Sequence, residues 1–238
     1  MKAVILREWL RFYRAMGKMG LYRFIAIYGI IFGFILPGSF DNPTAAFAVF
    51  ALIPLYVAGP LAVDAIAGER ERNTLETLLT APLSPMEILG GKTLFSIMIA
   101  AGTSWMVLLL FTVWSIVRTK SLPSLPVFCA VLAGGLVSSV IGTLAGLHVS
   151  MKAKTVRSGQ QWFAVVLMLI AFGIPLSIQF LIPYIPQSLM RRIALMFEGG
   201  WFSYGIILIV AFAVLVCAVL WLSLQRRIKG LWRLNPER

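Results

Sequence analysis

The stretch GERERNTLETLLTAPLSP, residues 68–85, separates two of the most apolar parts of the chain. It contains three of the nine acidic side chains, Glu69, Glu71 and Glu76, and two more, Asp64 and Glu87, flank it. If the apolar parts cross a membrane, the run ERER must lie outside the hydrocarbon, because each charge at the bilayer centre costs about 2.5–3.5 kcal/mol. The stretch is therefore predicted to be a charged connection between two membrane spans.

The composition supports a membrane protein. The 238 residues are 60% hydrophobic and 13% charged, and the mean hydropathy is +0.90, far outside the range of globular domains. Six segments are long enough to cross roughly 30 Å of hydrocarbon as helices. They are residues 21–36, 44–67, 88–117, 122–151, 161–185 and 201–224. With no linker and no internal repeat, residues 1–238 are predicted to form one all-α membrane domain of six transmembrane helices.

The distribution of Lys and Arg predicts the orientation. Only four of the 21 basic side chains, Arg118, Lys120, Arg191 and Arg192, fall on one side of the predicted spans, and the other 17 fall on the side of both termini. The positive-inside rule then places both termini in the cytoplasm, in an inner (cell) membrane. The charges are spread over every inner segment, which favours anionic lipid headgroups as their counterpart and disfavours nucleic acid.

Two segments have amphipathic patterns without the length of a span. Residues 1–20 place Val4, Trp9 and Phe12 on one side of a helix and most basic residues on the other, which predicts an interfacial helix. It either sets topology alone or also links the first span to a cytoplasmic partner. Residues 186–200 are predicted to form a re-entrant outer element, with a surface helix as the alternative.

Small residues recur at a spacing of four in the fourth span. The pairs Gly135/Ser139 and Gly142/Gly146 predict close helix contact, and packing within one subunit is favoured over an interface between subunits.

The charged connection contains two sets of helix-start signals. Asn73 with Glu76 three residues later resembles a capping box, and Pro82 would end that helix. Ser84 with Pro85 and Glu87 forms a second box at the start of the third span.

Between these signals lies a helix of two turns, residues 74–81, with Leu75, Leu78 and Leu79 on one face. Such a short helix does not hold in water without a partner. The leucines either fold back on the helix ends of this chain or dock into a groove of a separate protein.

The stretch GERERNTLETLLTAPLSPMEILGGK, residues 68–92, resembles the cytoplasmic connection of ABC-2 type transporter permeases. In that family an acidic-basic pair precedes a Thr-Leu-Glu-x-Leu-Leu core, followed by Pro and a Lys at the start of the third span. Asn73 stands where many relatives have Gly. The resemblance implies a type V exporter-like fold, in which residues 68–85 form a coupling-helix loop that seats on a nucleotide-binding subunit.

Site residues follow from the resemblance by position. It implies polar rim contacts from Glu69, Arg70, Glu71 and Arg72, and groove contacts from Thr74, Leu75, Glu76, Leu78 and Leu79. It also implies a second, weaker contact from Lys154 and Arg157 in the inner loop of residues 152–161. The implied partners are a P-loop ATPase subunit that holds ATP and Mg²⁺, a second copy of the chain or a homologous permease, and membrane lipids.

The chain contains no P-loop motif G-x-x-x-x-G-K-[ST], so it is not expected to be an enzyme by itself, and no catalytic or metal site is predicted. His148 is predicted to be a buried or interfacial polar residue. No paired carboxylates lie in mid-span, which disfavours an ion-coupled carrier. The resemblance implies export, and the predicted substrate is hydrophobic or amphipathic. The alternative is a multispan membrane scaffold or a non-ABC membrane protein without transport activity. The predicted substrate path consists of Phe50, Leu55, Tyr56, Phe172, Ser177 and Gln179.

Overall fold

The structure is a computed structural model that describes residues 2–31, 35, 43–74, 84–120, 125–169, 180, 182–184, 186–188 and 215–226. All regular secondary structure in these ranges is helical, as predicted. The six longer helices are α1 (Lys2–Ile30), α2 (Pro43–Val63), α3 (Pro85–Thr119), α4 (Leu125–Lys152), α5 (Val156–Met168) and α6 (Leu215–Arg226). A π turn (Asp64–Gly68) and a helical turn (Glu69–Glu71) extend α2, and a 3-10 turn covers Ile182–Tyr184.

Two helices in the described residues, α3 and α4, are long and apolar enough to cross a membrane. Their qualifying segments are Met86–Val117, with a mean hydropathy of 2.1, and Val131–Lys152, with 1.6. They coincide with the third and fourth predicted spans. The six-span count stays a prediction. The re-entrant element of residues 186–200 and the coupling helix of residues 74–81 lie largely outside the described residues.

The start of α3 confirms the second capping box. The Ser84 hydroxyl accepts a hydrogen bond from the Glu87 amide at 3.2 Å, and Glu87 Oε2 accepts one from the Ser84 amide at 3.0 Å. Pro85 occupies the first turn, where its missing N–H costs nothing. Hydrogen bonds from the Ser84 amide and hydroxyl lower the pKa of Glu87. Two unpaired donors at the helix start are thereby satisfied by local sequence alone.

Helix α2 lies at the centre of the described bundle, in contact with α3, α4 and α5, and most extensively with α4. The α2–α4 contact is close because α4 presents glycine there. A Cβ added at Gly146 would come within 2.6 Å of the Gly59 carbonyl oxygen, and one at Gly142 within 3.1 Å of Leu55. These glycines therefore pack within one subunit, as predicted, and van der Waals contact between backbones holds the pair of helices.

Apolar clusters fill the space on both sides of this contact. One contains Ile53, Leu108, Phe111 and Val131, and another contains Ala62, Leu89, Leu144, Leu147 and Leu224. Hydroxyl groups on the long helices mostly bond to their own helix. Thr93 donates to the Leu89 carbonyl at 2.8 Å and Thr143 to the Ser139 carbonyl at 2.8 Å. Such internal bonds remove the cost of placing a polar group in an apolar medium.

Helix α1 consists of two helical stretches joined at Gly17, whose φ of 61° lies in the left-handed region. Glycine adopts that conformation without steric cost. The first stretch packs on α3 through the face that carries Val4 and Glu8, while Leu6 and Trp9 are exposed. Val4 and Trp9 thus differ in exposure, and the interfacial position of residues 1–20 stays a prediction.

Candidate functional site

Four charged side chains meet at one end of the bundle, at the point where α2 gives way to the charged connection. Glu69 is fully buried, and its Oε1 accepts hydrogen bonds from Arg11 Nη1 at 2.8 Å and from Lys92 Nζ at 2.9 Å. Lys92 Nζ also lies 3.0 Å from Glu8 Oε1 and donates to the Ala65 carbonyl at 2.9 Å. We call Glu8, Arg11, Glu69 and Lys92 the charge cluster. Its two acids and two bases balance.

The electrostatics of Glu69 follow from its surroundings. Burial raises the pKa of this carboxyl, but attraction to Lys92, hydrogen bonds from Thr74 and Lys92, and attraction to Arg11 together lower the pKa to about 2. Glu69 is thus ionised at neutral pH although it has no exposed surface. A buried charge persists in this way only when partners supply hydrogen bonds and opposite charge.

The charge cluster brings together residues that are far apart in sequence. Glu8 and Arg11 come from α1, Glu69 from the turn that ends α2, and Lys92 from the second turn of α3. Beside the cluster, Phe95 of α3 makes edge-to-face contacts with Trp9 and Phe12 of α1, at centroid distances of 6.5 and 5.9 Å. Aromatic pairs of this geometry add about 0.5–1.5 kcal/mol each beyond burial. Apolar and charged contacts therefore fix α1 on α3 at the same place.

The α2 extension ends in a way that the sequence analysis misassigned. The Thr74 amide donates to the Glu69 carbonyl at 2.9 Å and the Asn73 amide to the Arg70 carbonyl at 3.1 Å, which is the pairing of a Schellman motif. Asn73 has φ of 55° and occupies the left-handed position of that motif. It terminates one helix, and the prediction that it is the N-cap of the next is wrong, because an N-cap residue is extended. Glycine, which the resemblance implies at this position, suits the same conformation.

The remaining rim residues each have partners within the chain. Arg70 donates to the Ala153 carbonyl at 2.6 Å, Glu71 Oε2 accepts from the Val156 amide at 2.9 Å, and Arg72 pairs with Asp64 at 3.2 Å. The Thr74 hydroxyl donates to Glu69 Oε2. Docking contacts from residues 69–74 therefore stay a prediction, and within this range Glu71, Arg72 and Asn73 are exposed.

The other predicted docking residues are only partly visible. Lys154 and Arg157 are exposed, on and just after the short turn between α4 and α5, close to the carbonyl groups that Arg70 binds. The two inner loops thus lie side by side. Leu75, Glu76, Leu78 and Leu79 lie outside the described residues.

The predicted substrate path is not assembled by the described residues. Leu55 is half-buried against the cluster of Val63 and Phe163, and Tyr56 is exposed on α2. Phe50 lies in α2, and only its backbone is described, while Phe172, Ser177 and Gln179 lie outside the described residues. The path stays a prediction.

Sequence reasoning missed three members of the charge cluster as site residues: Glu8, Arg11 and Lys92. One signal was present, because the first 23 positions contain six basic residues and a single acidic one, Glu8. Lys92 is the second signal, since it is the one charge within a long apolar helix after Glu87 and before Arg118. Neither signal indicates the partner, which lies 58 residues from Arg11 and 23 from Lys92.

His148 is an interfacial polar residue, as predicted. Its Nδ1 lies 2.9 Å from the Leu144 carbonyl and its Nε2 lies 2.6 Å from the Ser223 hydroxyl, so it joins α4 to α6. Within the ranges that the structure describes, no group of three or more His, Cys, Asp or Glu could hold a metal ion.

Comparison with known proteins supports the family resemblance of the charged connection and is consistent with the helical fold. A family model described as "ABC-2 family transporter protein" matches residues 12–206, more than four-fifths of the chain. A comparison with individually curated proteins gives no match. Members of this family are membrane transport components that work with an ABC ATPase subunit and are not themselves catalytic. The chain therefore belongs to the ABC-2 family, as the membrane permease component of an ABC transporter.

Proposed function

We propose that this permease exports a hydrophobic or amphipathic substrate, driven by ATP hydrolysis on a separate nucleotide-binding subunit that docks on the predicted helix of residues 74–81. ATP and Mg²⁺ are held by that subunit. The observation that carries the proposal is the charge cluster, which joins α1, the end of α2 and the start of α3 immediately before the proposed docking helix.

A buried charge cluster suits the transmission of movement. The Glu69–Lys92 ion pair is screened little because both side chains are buried, so displacing either of them carries a large energetic penalty. The Thr74 hydroxyl binds Glu69 Oε2, so the first residue after the α2 extension is tied to the cluster directly. A force applied to the docking helix would reach three helices through a single carboxylate.

A cavity beside the charge cluster gives this region room to rearrange. Its volume is about 340 Å³, and its lining includes Glu8, Asp64, Arg72 and Gln160. Glu8 Oε1 is buried and has an ion pair with Lys92, but no hydrogen bond among the described residues. A second arrangement of these charges is therefore sterically possible, as a two-state transport mechanism requires.

The assembly is proposed to contain two permeases around a central path, either two copies of this chain or this chain with a homologue, and two ATPase subunits. The absence of paired carboxylates in the predicted spans supports a path lined by apolar and small polar groups. Residues such as Leu55 and Tyr56 would contribute to that lining.

Co-purification tests the proposal. The full chain, expressed with the ATPase of the same operon or genome neighbourhood, should retain that ATPase in a one-to-one ratio. The double substitution Leu78→Asp and Leu79→Asp should release the ATPase, because two carboxylates in an apolar groove lose their hydration and gain no partner. Lys120→Asp, which introduces a carboxylate at the exposed residue that follows α3 on the predicted outer side, is the control and should retain the ATPase. Failure of the unmodified chain to retain any P-loop ATPase would favour the scaffold.

A further inference from the structure

The helix that leads into the charged connection contains a π turn at Asp64–Gly68, in which α-helical hydrogen bonding is interrupted. A side chain of another helix supplies hydrogen-bond partners for the backbone groups at this turn. Ser150 of α4 is fully buried, and its hydroxyl donates to the Val63 carbonyl at 2.6 Å. The same oxygen accepts from the amides of Ile66 at 3.1 Å and Ala67 at 2.9 Å.

These three bonds use the whole capacity of the Ser150 hydroxyl, which has one donor and two acceptor positions. Other buried hydroxyls of α4 behave differently. Ser139 is also fully buried, but its hydroxyl donates to the Leu136 carbonyl of its own helix at 2.7 Å. Ser150 is therefore a bridge between two helices.

Three further bonds lie next to this bridge and join the same two segments. Arg70 reaches the Ala153 and Met151 carbonyls, and Glu71 binds the Val156 amide that begins α5. Each of these groups is a backbone acceptor or donor at a helix end, where no intrahelical partner exists. Residues 64–74 and residues 150–156 thus satisfy each other's unpaired groups.

We propose that Ser150 is a positioning residue that makes the two inner connections move as one body. The inference rests on the proposed function. A movement of the docking helix would then reach α4 and α5 through Ser150, in addition to α1 and α3 through the charge cluster. Without the hydroxyl, the π turn would lose three bonds at once, and movement of residues 64–74 would be passed to residues 150–157 only through the Arg70 and Glu71 bonds and the packing of α2 on α4.

Amide hydrogen exchange on the full chain in nanodiscs tests the bridge without any ATPase. We expect Ser150→Ala to raise the exchange rates at Ile66 and Ala67 by about tenfold or more, because both amides lose their acceptor. Ser139→Ala is the matched control on the same helix and should leave these two rates unchanged. Unchanged rates at Ile66 and Ala67 in Ser150→Ala would overturn the proposal.

The second measurement uses the complex with its ATPase, trapped with ATP and orthovanadate. In the wild type and in Ser139→Ala we expect trapping to change exchange in both segments, 64–74 and 150–157. In Ser150→Ala we expect the change in residues 150–157 to be at least halved, while the change in residues 64–74 remains. A change in residues 150–157 that is as large in Ser150→Ala as in Ser139→Ala would overturn the positioning role.

The two measurements separate the two hypotheses. If no ATPase binds the wild-type chain, the proposed function fails, while the exchange at Ile66 and Ala67 still decides whether Ser150 bridges the helices. If Ser150→Ala does not fold, Ser150→Cys takes its place, since it keeps the size but is a weak donor and acceptor. That variant should show raised exchange at the same two amides, and wild-type rates would overturn the bridge.

Discussion

The Glu69 carboxylate is the group on which most hydrogen bonds of the charge cluster meet. It is fully buried, and donors from Arg11, Thr74 and Lys92 converge on it. Removing one member of such a group leaves the others desolvated and unpaired, which costs more than the group itself contributes. The effect of a substitution here should therefore exceed that of any exposed ion pair.

We expect Glu69→Gln to lower the free energy of unfolding by about 3–5 kcal/mol at neutral pH, because Lys92 is left as a buried cation with less negative charge beside it. Chemical denaturation in detergent micelles measures this. Asp64→Asn is the control, since the Asp64–Arg72 pair is largely exposed and such pairs contribute at most about 1 kcal/mol. Equal losses in the two variants would contradict the assignment.

The depressed pKa of Glu69 also predicts a pH dependence. Its folded pKa of about 2 lies below the ordinary value of 4.5, so its contribution is fully present above pH 4.5 and is lost as the pH falls towards 2. By linkage the loss amounts to about 3 kcal/mol. Melting curves between these pH values should show a steeper decline for the wild type than for Glu69→Gln. Parallel curves would contradict a native carboxylate at this position.

Helix α4 acts as the main support of α2, and glycine makes this possible. In lipid there is little hydrophobic force between helices, so close backbone contact and hydrogen bonds must hold them together. Gly142 and Gly146 supply the first of these and Ser150 supplies the second, on successive turns of one helix face. One side of α4 thus provides both the close backbone contact and the hydrogen bonds that hold α2.

Gly146→Ala should separate α2 and α4, because the new methyl group would meet the Gly59 carbonyl oxygen and Ala62 Cβ at 2.6 and 2.8 Å. Overpacking of this kind costs about 1–3 kcal/mol. Thermal unfolding in micelles would detect it. Gly102→Ala on α3 is matched in chemistry but has nothing within 4 Å of the added Cβ, so its melting temperature should not fall.

The sequence analysis predicted a helix boundary correctly where neighbouring residues determine it, and failed where residues far apart in sequence do. The capping box at Ser84 and the extents of α3 and α4 follow from neighbouring residues, and the sequence analysis placed them within three residues at each end. Asn73 was misassigned because its left-handed conformation depends on the turn before it. The charge cluster was missed because its pairings cross 58 and 23 residues, which no local pattern specifies.

The whole molecule has a net charge of +12, and the distribution of its basic residues predicts the orientation in the membrane. Lys120 follows the end of α3 and Lys154 follows the end of α4, and both side chains are exposed. On a background in which Cys129 and Cys217 are replaced by serine, we expect Lys154→Cys to react with a membrane-impermeant maleimide only after the cells are opened. Lys120→Cys should react in intact cells, and the reverse pattern would invert the topology.

The two stretches of α1 meet at Gly17, whose left-handed conformation a residue with a side chain adopts only with strain. Glu8 and Arg11, two of the four members of the charge cluster, lie before this joint. A proteolytic cut at the joint would therefore detach half of the cluster and leave Lys92 as the one cationic partner of Glu69 among the described residues.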